Sequence, residues 1–186
     1  MILDAGNVLL LPYEHRDRNA LVAILGEPAL MRLVLEERPL AKAEAETFID
    51  RDFRASGHLG YGAVALKSTG EAIGFSGFRA CHYLNEDDVE FGWVLAKEHH
   101  GRGYATALGE ALIRQALESR RLPRVLAACN PLNHASERIL RDKLQMRFER
   151  QVEPRSGFCR RVYSAAPGWP TTPRSNQTAS SGAFPA

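Results

Sequence analysis

"EHHGRGYATALGEAL", residues Glu98 to Leu112, sets Gly101 and Gly103 directly before a segment whose apolar residues Ala105, Leu108, Leu112 and Ala116 recur at helical spacing. The run before it, "VEFGWVL" (Val89–Leu95), reads as a strand. "RLP" stops the helix because Pro123 has no N–H to give, and "RVLAAC" (Arg124–Cys129) follows as a buried-type strand. Strand, glycine turn, helix and strand make one βαβ crossover. The first amides of such a helix, from Gly101 to Ala105, lack intrahelical acceptors and lie at the positive end of the helix dipole, which is the physics of an anion site. Arg102, with Arg138 or Arg141, would add charge-assisted contacts. The same glycines would equally serve a tight strand-to-helix turn, and the turn alone leaves both readings open.

Working outward, "NVLLLPY" (Asn7–Tyr13) reads as a first strand ended by Pro12. Leu21, Val22, Ile24 and Leu25 predict a helix, and Leu30 to Leu35 predict a second short one after the Gly26-Glu27-Pro28 break. Glu44 to Ala55 predicts another, and "SGHLGYG" a loop. "YGAVALK" and "AIGFSGFRA" flank the turn-former cluster "STGE", a hairpin signature. "NPLNHASERILRDKL" reads as a loop capped into a helix, and "RFERQVE" with "FCRRVYSA" as a closing hairpin. From Ala165 the composition turns to Pro, Ser, Thr, Gly and Ala, which predicts a flexible tail, with Trp169 or Phe184 as residues able to dock.

The 186 residues, 45% hydrophobic and 25% charged, suit a single globular domain. No apolar run approaches membrane-spanning length and no signal-peptide pattern opens the chain, so a cytoplasmic protein without membrane contact is expected. Cys81, Cys129 and Cys159 have no CxxC spacing, and adjacent His99 and His100 diverge without a third ligand; neither a disulfide framework nor a metal site is expected. Residues 1–96 carry 9 Lys/Arg against 15 Asp/Glu, whereas residues 97–161 carry 14 against 7. The second half therefore attracts anions and the first cations. The basic residues are not interleaved with aromatics, so nucleic acid is not an expected partner.

Among phosphate ligands, a nucleoside triphosphate would want Gly-Lys-Ser/Thr at the end of a Walker loop, which is missing. A dinucleotide would want a third glycine where Thr106 stands, and an acidic residue after the next strand, where Cys129 and Asn130 stand.

"HGRGYA" (His100–Ala105) resembles the acyl-CoA-binding motif of the GNAT superfamily of N-acetyltransferases, usually Gln/Arg-x-x-Gly-x-Gly/Ala. Gly103 and Ala105 take the small positions, and His100 stands where Gln or Arg is usual. "VEFGWVL", "EAIGFSGF" and "NPLNHASERIL", with Asn133 and Ser136 in register, resemble the RimJ/RimL-like branch, the ribosomal-protein-alanine acetyltransferase type. The likeness extends over residues 8–163. "RDKLQMRFE" departs from the family's Lys-Leu-Gly pattern: Gln145 replaces the glycine and one extra residue follows Ser136, which predicts an altered helix ending.

The resemblance implies an α/β (α+β) domain over residues 1–164, a mixed, mostly antiparallel sheet with a central splayed parallel strand pair and flanking helices, followed by a tail over 165–186. It implies acetyl-CoA as co-substrate and no metal. The pyrophosphate would sit on the turn from His100 and Gly101 through Arg102, Gly103 and Tyr104 to Ala105. The pantetheine would lie along Val94 and Leu95, one of whose amides would polarise the thioester carbonyl. Asn133 would contact the coenzyme. Glu90 would take the proton from the attacking amine and Ser136 would serve the departing thiolate, against the alternatives of an ordinary strand glutamate and of helix-capping roles for Ser136 and Asn133. The acidic first half, including Glu36, Glu37, Glu86, Asp87 and Asp88, suits a cationic acceptor: a protein N-terminal amine, a polyamine or an aminoglycoside. A monomer or homodimer is expected. A reading from another class is an acyl-CoA-binding sensor or structural subunit without turnover.

Overall fold

A computed structural model describes residues 2–53, 59–85, 87–153 and 157–170. Eight strands form one sheet: β1 (Leu3–Ala5), β2 (Val8–Leu11), β3 (Gly60–Leu66), β4 (Ala72–Cys81), β5 (Asp88–Leu95), β6 (Val125–Cys129), β7 (Arg147–Val152) and β8 (Arg160–Ala165). Their order is β1-β2-β3-β4-β5-β6-β8-β7. Every neighbouring pair is antiparallel except β5 and β6, which run parallel and share a single register pair, Glu90 beside Leu126. The expected architecture of a mostly antiparallel sheet around one parallel, splayed pair is therefore the observed one. β1 is an addition. It forms a hairpin in which Ala5 pairs with Val8 around Gly6-Asn7, with Gly6 at φ 77; that dipeptide is the turn signal the short apolar "LD" hides.

Among the described residues, five α-helices flank the sheet: α1 (Arg18–Gly26), α2 (Pro28–Met31), α3 (Lys42–Asp52), α4 (Tyr104–Arg114) and α5 (His134–Arg138). Alternation along β5 divides the core between the two faces. Phe91 and Leu95 pack with Leu108, Leu112 and Ile113 of α4, whereas Val94 packs with Phe75 of β4, Leu25 of α1, Met31 of α2 and Ile49 of α3. Each such fully buried side chain contributes about 1.5–3 kcal/mol of transfer free energy. These are the residues that hold β5 rigid between two helical layers.

The helix expected over Leu30–Leu35 is only α2, begun by Pro28 at its first position and capped by the Glu27 side chain on the Ala29 amide. It ends at Met31 because the chain beyond takes left-handed conformations at Leu35 (φ 49) and Glu37 (φ 58), and Arg160 donates to the Leu35 carbonyl at 2.8 Å. A long-range contact here overrides local helical patterning. The third helix begins two residues earlier than the expected Glu44; Ala55, expected as its end, lies outside the described residues, as do Ser56 to His58 of the glycine-rich loop.

Both α4 and α5 finish the same way. A single π-turn follows each, Gln115–Ser119 and Ile139–Lys143, and then one residue in the left-handed region, Arg121 (φ 53) and Gln145 (φ 49). The bonds repeat as well: Leu122 N–H donates to Ala116 and Met146 N–H to Leu140. A π-turn holds one more residue than an α-turn, which gives room for the extra residue expected after Ser136, and Gln145 takes a left-handed conformation that a glycine would favour. Past β8, Trp169 packs on the α4-side core and donates its indole N–H to the Leu144 carbonyl. The chain is thus anchored to that point, and Phe184 lies outside the described residues.

Candidate active site

Between β5 and α4 the chain makes a short 3₁₀ turn, Lys97–His99, then places Gly101 at φ 73 and Gly103 at φ 80. Only glycine takes such angles without strain, so the tight-turn reading holds. The same geometry leaves the turn's backbone open to approach. A Cβ built on either glycine would meet nothing within 4 Å, and Gly103 caps α4 without any side-chain hydrogen bond. The first backbone acceptor inside the helix is the Gly103 carbonyl, taken by Ala107. The amides from Gly103 to Thr106 are left at the mouth of an open groove lined by His99, Gly101, Gly103, Tyr104 and Ala105, with Arg138 and Lys143 on its far side.

His100 turns back from this groove's edge: its Nε2 lies 2.8 Å from the Leu95 carbonyl. That contact fixes the turn against the end of β5. It also reports the direction of the strand's backbone groups. Ala96 N–H donates to Ile73 on β4, and the Gly92 carbonyl accepts from Ser76 Oγ on β4, so even-numbered groups of β5 point at β4. Odd-numbered ones, those of Trp93 and Leu95, point the other way, into the splay beside β6. Of the two amides expected to face an acyl group, Leu95 has this orientation and Val94 is directed at Phe75.

A second cavity opens on the α1/α3 side of the splay. It is lined by Glu90, Arg79, Tyr83, Tyr61, Ser136 and Arg160 among others, and it meets the first groove at Leu33, Val34, Trp93, Val94, Asn133 and Ser136. Glu90 is 5% exposed. It forms an ion pair with Nε of Arg79, its cross-strand neighbour on β4. Burial pushes the Glu90 carboxyl above the ordinary carboxylate range, opposed by the Arg79 guanidinium and by the Tyr83 hydroxyl. Tyr83 and Tyr61 are each raised to about 12, chiefly by burial, so both stay protonated phenols at neutral pH.

Asn133 and Ser136 occupy the start of α5. The Asn133 side chain accepts from the Ser136 amide at 3.1 Å, an ordinary N-cap, and both residues line both cavities. Capping and site-lining coexist here. Tyr163, by contrast, donates to Glu137 at 2.9 Å within the core and stands away from the Glu90 cavity, as does Tyr104, which lies in the amide-lined groove.

Sequence reasoning missed Arg79, Tyr83, Asn130 and Arg160. Arg79 continues the Phe75, Gly77 alternation of β4, but its meeting with Glu90 depends on strand register. Arg160 comes from the last strand and pairs with Glu37, which also accepts from Asn130 at 2.7 Å. This cluster ties the segment after α2 across the cavity. The acidic residues expected to attract a cation are engaged elsewhere: Glu37 as above, Glu36 with Arg38 at 3.1 Å, and Asp88, buried, with both Nε and Nη2 of Arg124. Glu86 lies outside the described residues, and Asp87 is exposed.

The acetyltransferase (GNAT) domain model matches residues 7–146. An uncharacterized N-acetyltransferase of Bacillus subtilis, YnaD, is 24% identical over 80% of this chain and 84% of its own. Among solved structures, an acetyltransferase from Agrobacterium tumefaciens superposes with a TM-score of 0.74 at 25% identity, covering 89% of this chain and 94% of that one. RimL, a ribosomal alpha-N-protein acetyltransferase in complex with coenzyme A, shares the fold with a TM-score of 0.72 at 16% identity over 89% and 98% of the two chains.

Proposed function

Because the chain belongs to the GNAT acetyltransferase domain family, whose members draw an acetyl group from acetyl-CoA, we propose that it transfers that group directly to a primary amine, with Glu90 as the base. The carrying observation is the junction of two cavities. The amide-lined groove and the Glu90 cavity meet at Leu33, Val34, Trp93, Val94, Asn133 and Ser136, across the gap that opens where β5 and β6 part.

Coenzyme A fits the groove on the chemistry of its walls: open, left-handed glycines, uncapped amides and the cations Arg138 and Lys143 match a polyphosphate. The residues that would hold it are Gly101, Arg102, Gly103, Tyr104 and Ala105, with Val94 and Leu95 along its stem and His100 bracing the turn. When bound, acetyl-CoA supplies an activated acyl carbon and a thiolate leaving group.

The protein's part is orientation, proton removal and charge stabilisation. An acceptor arrives as an ammonium and has no lone pair to attack with. The Glu90 carboxylate, buried and raised, accepts that proton at its Oε atoms. The Leu95 N–H, pointing into the splay, faces the oxygen on which negative charge develops. The Ser136 hydroxyl, at the junction, donates to the departing sulfur. The acceptor is the α-amine of a protein or a small amine.

Thiol release from acetyl-CoA, measured against a panel of amines, tests the reading. Turnover on at least one amine, cut by about 100-fold or more in Glu90→Gln, supports it. Coenzyme binding without turnover on any amine would leave a sensor instead.

A further inference from the structure

We propose that the Arg79–Glu90 pair is a recognition doublet for an α-amino acid with an apolar side chain, its ammonium going to Glu90 and its carboxylate to Arg79. This rests on the reading of Glu90 as the proton acceptor.

The doublet sits at cross-strand positions of β4 and β5, so its two charged groups are held side by side on one face of the sheet. Their exposures differ. The Glu90 side chain is 7% exposed and that of Arg79 49%, so a ligand entering the cavity meets the guanidinium first. Arg79 binds Glu90 through Nε, and a guanidinium carries two further nitrogens suited to a carboxylate.

The charges lining the cavity decide among amines. Glu90 is its only lining carboxylate among the described residues, against Arg79 and Arg160, and Arg160 is already neutralised by Glu37 from the segment after α2. An amine without an acid group would draw Glu90 away from Arg79 and leave a partly desolvated guanidinium without a carboxylate. A polyamine would also bring its second cation toward two arginines. A zwitterion avoids both penalties: it exchanges one internal ion pair for two with the ligand, and every charge stays matched.

Leu33, Val34 and Leu35 on one side and Tyr61 and Phe75 on the other give the cavity an apolar wall. That wall suits an aliphatic or aromatic side chain on the α-carbon.

The test compares kcat/KM for L-leucine, L-leucinamide, 3-methylbutylamine, leucyl-glycyl-glycine and spermidine in the wild type, Arg79→Lys and Arg79→Met. Intrinsic amine basicity differs among these acceptors, but it cancels when the ratio between two acceptors is compared across variants. The expected result is that the kcat/KM ratios of leucine to 3-methylbutylamine and of leucine to leucinamide each fall at least tenfold from the wild type to Arg79→Met, and by less in Arg79→Lys. Three results would overturn the proposal: spermidine or the tripeptide preferred over leucine, leucine ratios that do not fall in Arg79→Met, or no turnover of leucine. Glu90→Gln separates the two layers. Loss of turnover there with the wrong acceptor preferred sinks only the doublet, whereas full turnover there sinks the base assignment itself.

Discussion

Arg160 on β8 and Glu37 in the segment after α2 form an ion pair across 123 residues of sequence, and Arg160 reaches on to the Leu35 carbonyl. Asn130, at the end of β6, joins Glu37 from a third element. The result is a strap over the Glu90 cavity, held in left-handed conformations at Leu35 and Glu37 that neither residue favours by itself.

Arg160→Met releases the strap. It deletes charge-assisted bonds from a mostly buried side chain and leaves Glu37 with Asn130 alone, so unfolding free energy should fall by about 2 kcal/mol in denaturant titration. The acceptor KM should rise by about tenfold, because the wall formed by Leu33, Val34 and Leu35 is no longer fixed. Coenzyme affinity by calorimetry should fall less than the acceptor KM rises: Leu33 and Val34 line the amide groove as well, but its glycine turn, Arg138 and Lys143 do not rest on the strap. Equal losses for both substrates would refute the assignment of the strap to the acceptor side.

Glu90 carries a pH signature of definite sign. Its carboxyl is raised in the fold by burial, against the opposing pull of Arg79, so between the ordinary carboxylate range and its folded value the native state binds the extra proton. Stability from this group is present at low pH and is lost as pH climbs through that window. Glu90→Gln should therefore be no less stable than wild type at neutral pH, and its advantage should shrink on acidification. Activity runs the opposite way: kcat/KM of the wild type falls as pH drops through the same window, because a protonated Glu90 takes no proton from an amine. A flat acidic limb, or a variant markedly less stable at pH 7, would contradict this.

Gly103→Ala separates backbone strain from steric exclusion. At φ 80 an alanine costs about 1–2 kcal/mol, yet its methyl would meet no protein atom within 4 Å. Thermal unfolding should register that modest loss. Coenzyme A binding should weaken far more, by about 100-fold, because the methyl and the displaced amides stand where the phosphates approach. If affinity fell no further than the stability change explains, the glycine would be turn punctuation alone.

What the sequence made legible follows from where each signal is encoded. The glycines, the α4 stripe and the order of elements are local patterns, and from them the parallel pair and the left-handed turn before α4 could be read. The Leu95 amide's direction needed strand parity, which the sequence leaves undefined until β4 is paired. Arg79, Asn130 and Arg160 reach the site through register and through contacts between distant strands, so no window of sequence could name them. The strap went unseen for the same reason: Leu30 to Leu35 has helical patterning, and the contact that unwinds it arrives from β8.

The end of α5 offers a last test. Gln145 is exposed and sits at φ 49 directly after Leu144, whose carbonyl accepts the Trp169 indole N–H. Gln145→Gly removes the left-handed penalty of about 1 kcal/mol and adds back part of it as unfolded-state entropy. The net gain should be about 0.5 kcal/mol, or about 1–2 °C in Tm for a chain of this size. Little packing is lost, because the side chain is exposed. Arg121→Gly, the same left-handed position after the π-turn of α4, should behave alike. A destabilised Gln145→Gly beside a stabilised Arg121→Gly would mean that Gln145 is held for a contact with the segment around Trp169 and not by the backbone geometry of the π-turn.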